Sequence, residues 1–225
     1  MAVITLSRRL GSEFLGSALL AMIVVGSGIA AQQLSPTDIG LQLLENALVT
    51  GVGLFFLIEV LGPIGGAEFN PIVSLAKVAL TGRPLVDALR YIPFQVAGCI
   101  SGAILANAMF ALPVVTFSTH QRVSGPHFLS EVIATAGLVI TIFLLVALEK
   151  GQWIAGAVAS YITAAYFFTS STSFANPAIT VGRMFSNSFA GISPNSVLFF
   201  TVAQVVGGIV GVLIVKGLAP RKEVA

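Results

Sequence analysis

The sequence predicts an all-α integral membrane protein: six transmembrane helices and two re-entrant half-helices, built as an inverted repeat in a single domain over residues 1–225. Three observations lead there. Hydrophobic residues make up 56% of the chain and charged residues only 9%, where a soluble domain carries roughly a quarter charged. The mean hydropathy is +0.98. Two short segments also say the same thing: Asn70-Pro71-Ile72-Val73-Ser74-Leu75-Ala76-Lys77 and Asn176-Pro177-Ala178-Ile179-Thr180-Val181-Gly182-Arg183. An Asn before a Pro is a helix-start signature, because Asn caps free N–H groups and Pro at the first position loses no bond.

Taken in order, apolar runs long enough to cross a bilayer fall near Leu10–Ala31, Gly40–Leu61, Ala88–Ala111, Phe128–Leu148, Gln152–Ser170 and Ser196–Leu218. The two Asn-Pro segments lie between spans two and three and between spans five and six. Each is about a dozen residues, so at 1.5 Å per residue it reaches ~18 Å, about half the hydrocarbon core. They are therefore predicted to be half-helices, with approach loops that protein must cover or a watery cavity must solvate.

The repeat extends further. Glu13 opens span one as Glu131 opens span four, and Gln95 with Gly98 and Gly102 in span three parallels Gln204 with Gly207 and Gly211 in span six. Three spans per copy is odd, so the second copy (about 127–218) enters the membrane from the side opposite the first (about 8–111). That arrangement brings two half-helix N-termini together at the midplane. With the N-terminus inside, Arg8, Arg9, Lys77, Arg83, Arg90, Lys150, Lys216, Arg221 and Lys222 are cytoplasmic, and only Arg122 and Arg183 lie outside. This split orients both termini to the cytoplasm.

Several residues carry two readings. Glu13 and Glu131 at membrane depth are costly; their matched positions point to support of the re-entrant loops, with proton coupling as the sharper alternative. Lys77 and Arg183, each seven residues past its Asn, are either charges at the inner and outer mouths or cations closing a helix C-terminus. Glu59 has no counterpart. Cys99 reads as a packed side chain, and His120 and His127 as loop residues. No metal-ligand or nucleophile–base pattern appears, so an enzyme, a cofactor and a resident metal are not expected. A net charge of +2 suggests no nucleic-acid partner.

With these motifs in place, the chain resembles the aquaporin superfamily, the major intrinsic proteins, over nearly its whole length. The resemblance implies a homotetramer in the cell membrane, each protomer with its own pore for small uncharged solutes. Asn70 and Asn176 are then expected to donate hydrogen bonds to the oxygens passing by. The departures from the family pattern are informative. Ile72 replaces the usual Ala after the first Asn-Pro. Glu68 stands where His is common, either to attract cations or to bond neighbouring backbone. The family's outer-filter positions are counted onto Thr50, Ala164, Ser173 and Ile179, and Ile179 falls where water-selective members have Arg. This makes a wide, charge-free constriction, which favours glycerol-type polyols and metalloid hydroxides such as arsenous acid alongside water. The approach Tyr161–Tyr166 followed by Ser-Thr-Ser-Phe-Ala is similar to a bacterial aquaglyceroporin-like branch linked to arsenic handling. A narrower water channel and a secondary transporter are the competing readings. Without a filter Arg, K⁺ and Na⁺ are expected to stay excluded while protons leak.

Overall fold

The computed structural model describes residues 4–220, so the cytoplasmic assignment of Arg221 and Lys222 lies outside the described residues. The elements are α1 (Leu6–Leu34), α2 (Ile39–Gly65), α3 (Pro71–Thr81), α4 (Leu85–Met109), α5 (Gly125–Ala147), a 3-10 turn (Gly151–Trp153), α6 (Ile154–Phe168), α7 (Pro177–Arg183) and α8 (Pro194–Leu218). Side chains start five of these helices, with Thr5 accepting from Arg8 N at the head of α1. Asp38 accepts from Leu41 N at 2.9 Å, Ser124 from His127 N at 3.3 Å, and Asn70 and Asn176 cap α3 and α7. Gly66 ends α2 and Gly82 ends α3, both in the left-handed region (φ 100° and 72°) that glycine enters without a Cβ clash.

Among the described residues, five helices are long and apolar enough to cross a membrane: α1, α2, α4, α5 and α8. The fifth predicted span is shorter than the sequence suggests. Its 15-residue α6 is extended by the 3-10 turn rather than by a further α-turn. At 1.5 Å per residue α6 covers only ~22 Å, and the turn supplies most of the rest. The half-helices are real and unequal, with 11 residues in α3 and 7 in α7.

Packing follows the repeat. The main contacts pair α1 with α4 and α5 with α8. Glycines let the backbones approach. A Cβ on Gly102 would sit 2.0 Å from the Ala18 carbonyl, and one on Gly207 would sit 2.5 Å from the Val132 carbonyl. This is the small-residue logic of helix association in lipid, where the hydrophobic effect does not drive helices together. The outer faces keep large apolar side chains exposed, among them Val52, Phe55, Phe56, Ile209 and Leu213. Those faces suit acyl chains.

Candidate functional site

The two half-helices meet at their N-termini, and the approach loops that deliver them are nearly identical in backbone. In each loop the residues three and one before the Asn adopt positive φ: Ala67 (49°) and Phe69 (46°) in the first, Ser173 (49°) and Ala175 (48°) in the second. Such a conformation costs a non-glycine residue on the order of 1 kcal/mol. A buried carboxylate offsets that cost in both loops. Glu13 accepts from the N–H groups of Glu68 (2.9 Å) and Phe69 (2.8 Å), and Glu131 from those of Phe174 and Ala175 (2.9 Å each). Gln95 and Gln204 then donate from one nitrogen to two acceptors. Gln95 bridges Glu13 and Ser74; Gln204 bridges Glu131 and Thr180. Glu13, Glu131, Gln95 and Gln204 are all fully buried. The geometry accords with the loop-supporting reading of both carboxylates.

Asn70 and Asn176 hold the halves to each other. Asn70 Nδ2 donates to the Ala175 carbonyl and Asn176 Nδ2 to the Phe69 carbonyl, both at 2.8 Å. Each side-chain oxygen caps its own half-helix. An amide carries two N–H donors, so one closes the seam and the second remains for the cavity that both residues line. Pro71 and Pro177 start the half-helices as expected.

That cavity, of about 200 Å³, runs between α1, α2, α5, α6 and the half-helices. Its wall is mostly apolar (Leu20, Val24, Leu54, Leu138, Phe143 and Ile162 among others), with a polar strip from Asn70, Asn176, Thr50 and Ser173. The Ser173 hydroxyl is buried and has no protein partner, so it is left to whatever occupies the cavity. Ile179 lines the wall as expected. Ala164 does not: it is exposed on the opposite face of α6. The cavity face of α6 is Ile154, Val158, Ile162 and Tyr166, spaced by four. A position two residues from Ile162 points about 200° away, so the count along span five was out of register. The α6 residue that meets Thr50 in the cavity wall is Tyr166, whose hydroxyl lies 3.1 Å from Thr50 Oγ1.

Ile72 also departs from its expected place, for a packing reason. It is buried and leaves the wall to Val73. Its methyl group occupies the hollow above Gly208 of α8, where an added Cβ would lie 2.5 Å from Ile72 Cγ2. Ala178, in the first turn of α7, is fully buried.

At the α3 end of the cavity, Glu68 neither stands free nor bonds backbone through its carboxylate. It accepts from Lys77 Nζ (2.9 Å), Arg83 Nη1 (2.5 Å) and Ser74 Oγ (2.6 Å). Arg83 lies over the Tyr91 ring at 4.4 Å, and Asp87 lies within 4 Å of Arg9, Arg83 and Arg90. At the α7 end, Arg183 is only 2% exposed and lines the cavity, rather than forming a solvent-facing ring at the mouth. Its guanidinium carbon lies 3.4 Å from the centroid of the Phe174 ring, and Nε donates to the Ala190 carbonyl. Sequence reasoning missed Tyr166, Phe174 and Arg83. A four-residue ladder along α6 and the matched position of Phe174 and Glu68, two before each Asn, were the available signals.

A family model described as "Major intrinsic protein" matches residues 1–169 and 146–225. The aquaglyceroporin AqpS of Rhizobium meliloti (strain 1021) is 44% identical over 95% of this chain and 91% of its own length. Aquaporin Z of Brucella melitensis is 26% identical over 95% of this chain and 98% of its own. The solved aquaglyceroporin from Plasmodium falciparum superposes with a TM-score of 0.74 at 20% identity, covering 95% of this chain and 97% of that one; it speaks to the fold. The doubled loop frame, the crossed Asn side chains and the six-span inverted repeat agree with these matches, and the chain belongs to the major intrinsic protein family, whose members are multi-pass membrane channels and not enzymes.

Proposed function

We propose that this chain is a passive channel for small uncharged solutes of the glycerol type, for metalloid hydroxides such as arsenous acid, and for water. The observation that supports the reading is the composition of the cavity wall: Ile179, three residues after Asn176, lines it with Thr50, Tyr166 and Ser173, so position 50 carries no bulky aromatic and position 179 no cation. A polyol presents hydroxyls on one side and carbon on the other. A polar strip of Asn70, Asn176, Thr50 and Ser173 opposite an apolar wall matches that pattern, because each buried hydroxyl then finds a partner. The 44% identical Rhizobium relative bears the name aquaglyceroporin, which supports the same substrate class.

Four protomers assemble around separate pores in the cell membrane, with both termini cytoplasmic in accord with the basic-residue split. A mainly water-conducting channel is the second reading, favoured by the Tyr166–Thr50 hydrogen bond, which narrows the outer pore relative to an Ala at that site. Stopped-flow shrinkage of proteoliposomes in sorbitol, glycerol and urea, with arsenous acid uptake alongside, separates the two. Glycerol permeability well above protein-free vesicles is expected. Water flux with background glycerol flux selects the narrower channel, and saturable ion-dependent uptake selects a transporter.

A further inference from the structure

The constriction lacks a cation at position 179, yet the cavity does not lack one. We infer that Arg183 is the fixed charge of the outer pore and its charge-selecting residue, displaced one helical turn outward and held in the lining by Phe174 instead of by a carboxylate. This rests on the channel reading above and specifies how that pore treats charge.

Three observations carry it. Arg183 is 2% exposed and lines the same cavity as Thr50, Tyr166, Ser173 and Ile179. Among the described residues its side chain makes one hydrogen bond, from Nε to the Ala190 carbonyl, and no salt bridge. Its terminal nitrogens therefore keep their donors for the cavity. Phe174 fixes its plane from below: the ring is edge-on to Phe200 at 5.1 Å and its backbone N–H is tied to Glu131. A cation on an aromatic face gains attraction without being neutralised, so the charge stays available to the pore. Arg122 lies over the same ring at 5.2 Å and bonds the Gly191 carbonyl, which adds positive potential; the buried Glu131 carboxylate acts on both guanidinium groups only through space, with no ion pair to either.

The competing role, a cation closing the C-terminus of α7, does not fit the bonding. The last carbonyls of α7 are taken by backbone donors, Val181 O by Met184 N and Gly182 O by Phe185 N. The guanidinium has turned away from them to the Ala190 carbonyl. The inner counterpart is bound differently: Lys77 is held directly on the Glu68 carboxylate, which it shares with Arg83.

The test is the ratio of proton influx to water permeability in proteoliposomes loaded with a pH dye. Arg183→Gln is expected to raise that ratio about tenfold, the scale set by one fixed charge acting across a few ångströms of water-filled pore. Arg183→Lys keeps the ratio within about threefold of wild type, and adding Ile179→Arg to Arg183→Gln brings it back. A merely structural role for Arg183 predicts no such rescue by a cation one turn away. A wild-type ratio in a water-conducting Arg183→Gln channel overturns the proposal. Ile179→Arg alone decides the matter even if Arg183→Gln does not assemble: a change of less than about twofold supports a pore already charged, and a tenfold fall means the wild-type filter was charge-free. If glycerol fails to cross wild type, the substrate reading falls while the proton comparison still stands.

Discussion

At the inner end of the pore the cation seven residues past Asn70 lies on a carboxylate; at the outer end the cation seven residues past Asn176 lies on an aromatic ring. Everything beneath these pairs is duplicated. Each residue two before the Asn gives its backbone N–H to the buried Glu of its own repeat: Glu68 to Glu13, Phe174 to Glu131. Because the frame uses the backbone of that residue and not its side chain, the side chain is free to differ. One position carries Glu and the other Phe at no cost to the loop. The repeat therefore maintains a symmetric scaffold with asymmetric pairing: the inner cation shares a carboxylate with Arg83, and the outer one has no ion pair.

Breaking the shared scaffold should have the largest effect. Glu131→Gln accepts from one loop N–H but turns an NH₂ toward the other and toward Gln204, leaving buried donors unpaired at a cost of about 3 kcal/mol or more. Glu13→Gln should do the same to the inner loop. Loss of the monodisperse assembled peak on heated size-exclusion chromatography is the expected result for both, with no pH-driven solute accumulation created or removed. Accumulation in wild type that either variant abolishes would replace the channel by a proton-coupled transporter.

The outer filter comes next. Thr50→Phe with Ile179→Arg removes the open constriction and the Thr50–Tyr166 contact together. A fall in glycerol permeability of more than about tenfold is expected, equivalent to ~1.4 kcal/mol of added barrier, with water flux partly retained. Equal loss of both fluxes would place the constriction elsewhere.

Ile72→Ala sharpens the contrast between wall and support. Its side chain fills the hollow at Gly208 and not the pore, so a cost of ~2–4 kcal/mol in stability is expected from the void left behind. Melting temperature should fall while the ratio of glycerol to water permeability holds. A shift in that ratio would mean that Ile72 shapes the pore after all.

The smallest effect concerns the outer loop. Burial first, then the charges of Arg122 and Arg183, hold His120 below its ordinary value. The folded loop thus prefers the neutral ring, and the unfolded state binds the proton more readily. Its contribution is fully present above pH 6.5 and declines as pH falls below it. Protection factors for hydrogen exchange at Thr116 and Ser118, which pair with Phe185 and Met184, should be slightly lower at pH 5 than at pH 8 once the intrinsic pH dependence of exchange is divided out. His120→Asn should flatten the difference.

Much of this was legible in the residues themselves. Asn-Pro twice in apolar sequence announces two buried helix starts, and Glu13 with Glu131 at matched depth announces their support, because a carboxylate in lipid needs donors and the loop N–H groups offer them. The glycines of α4 and α8 announce close backbones. What escaped was side-chain direction. Ala164 was assigned by counting from a boundary, and an error of two residues on a helix turns a side chain to the far face. Arg183 was readable as lying beyond the filter. Its exposure was not, since that depends on the 184–193 segment folding back to offer Ala190.

By itself, then, the sequence determined the membrane setting, the six spans, the paired half-helices and the carboxylates that brace them, because each is a local consequence of hydropathy, capping or the cost of a buried charge. Only the tertiary structure decided that the Asn side chains bond each other's loops, that Tyr166 and not Ala164 meets Thr50, that Ile72 rests on Gly208, and that Glu68 and Phe174 give two equivalent cations opposite fates. Those contacts join residues far apart in the chain. Their partners are chosen by helix rotation and by the folding back of loops, which no short stretch of sequence encodes.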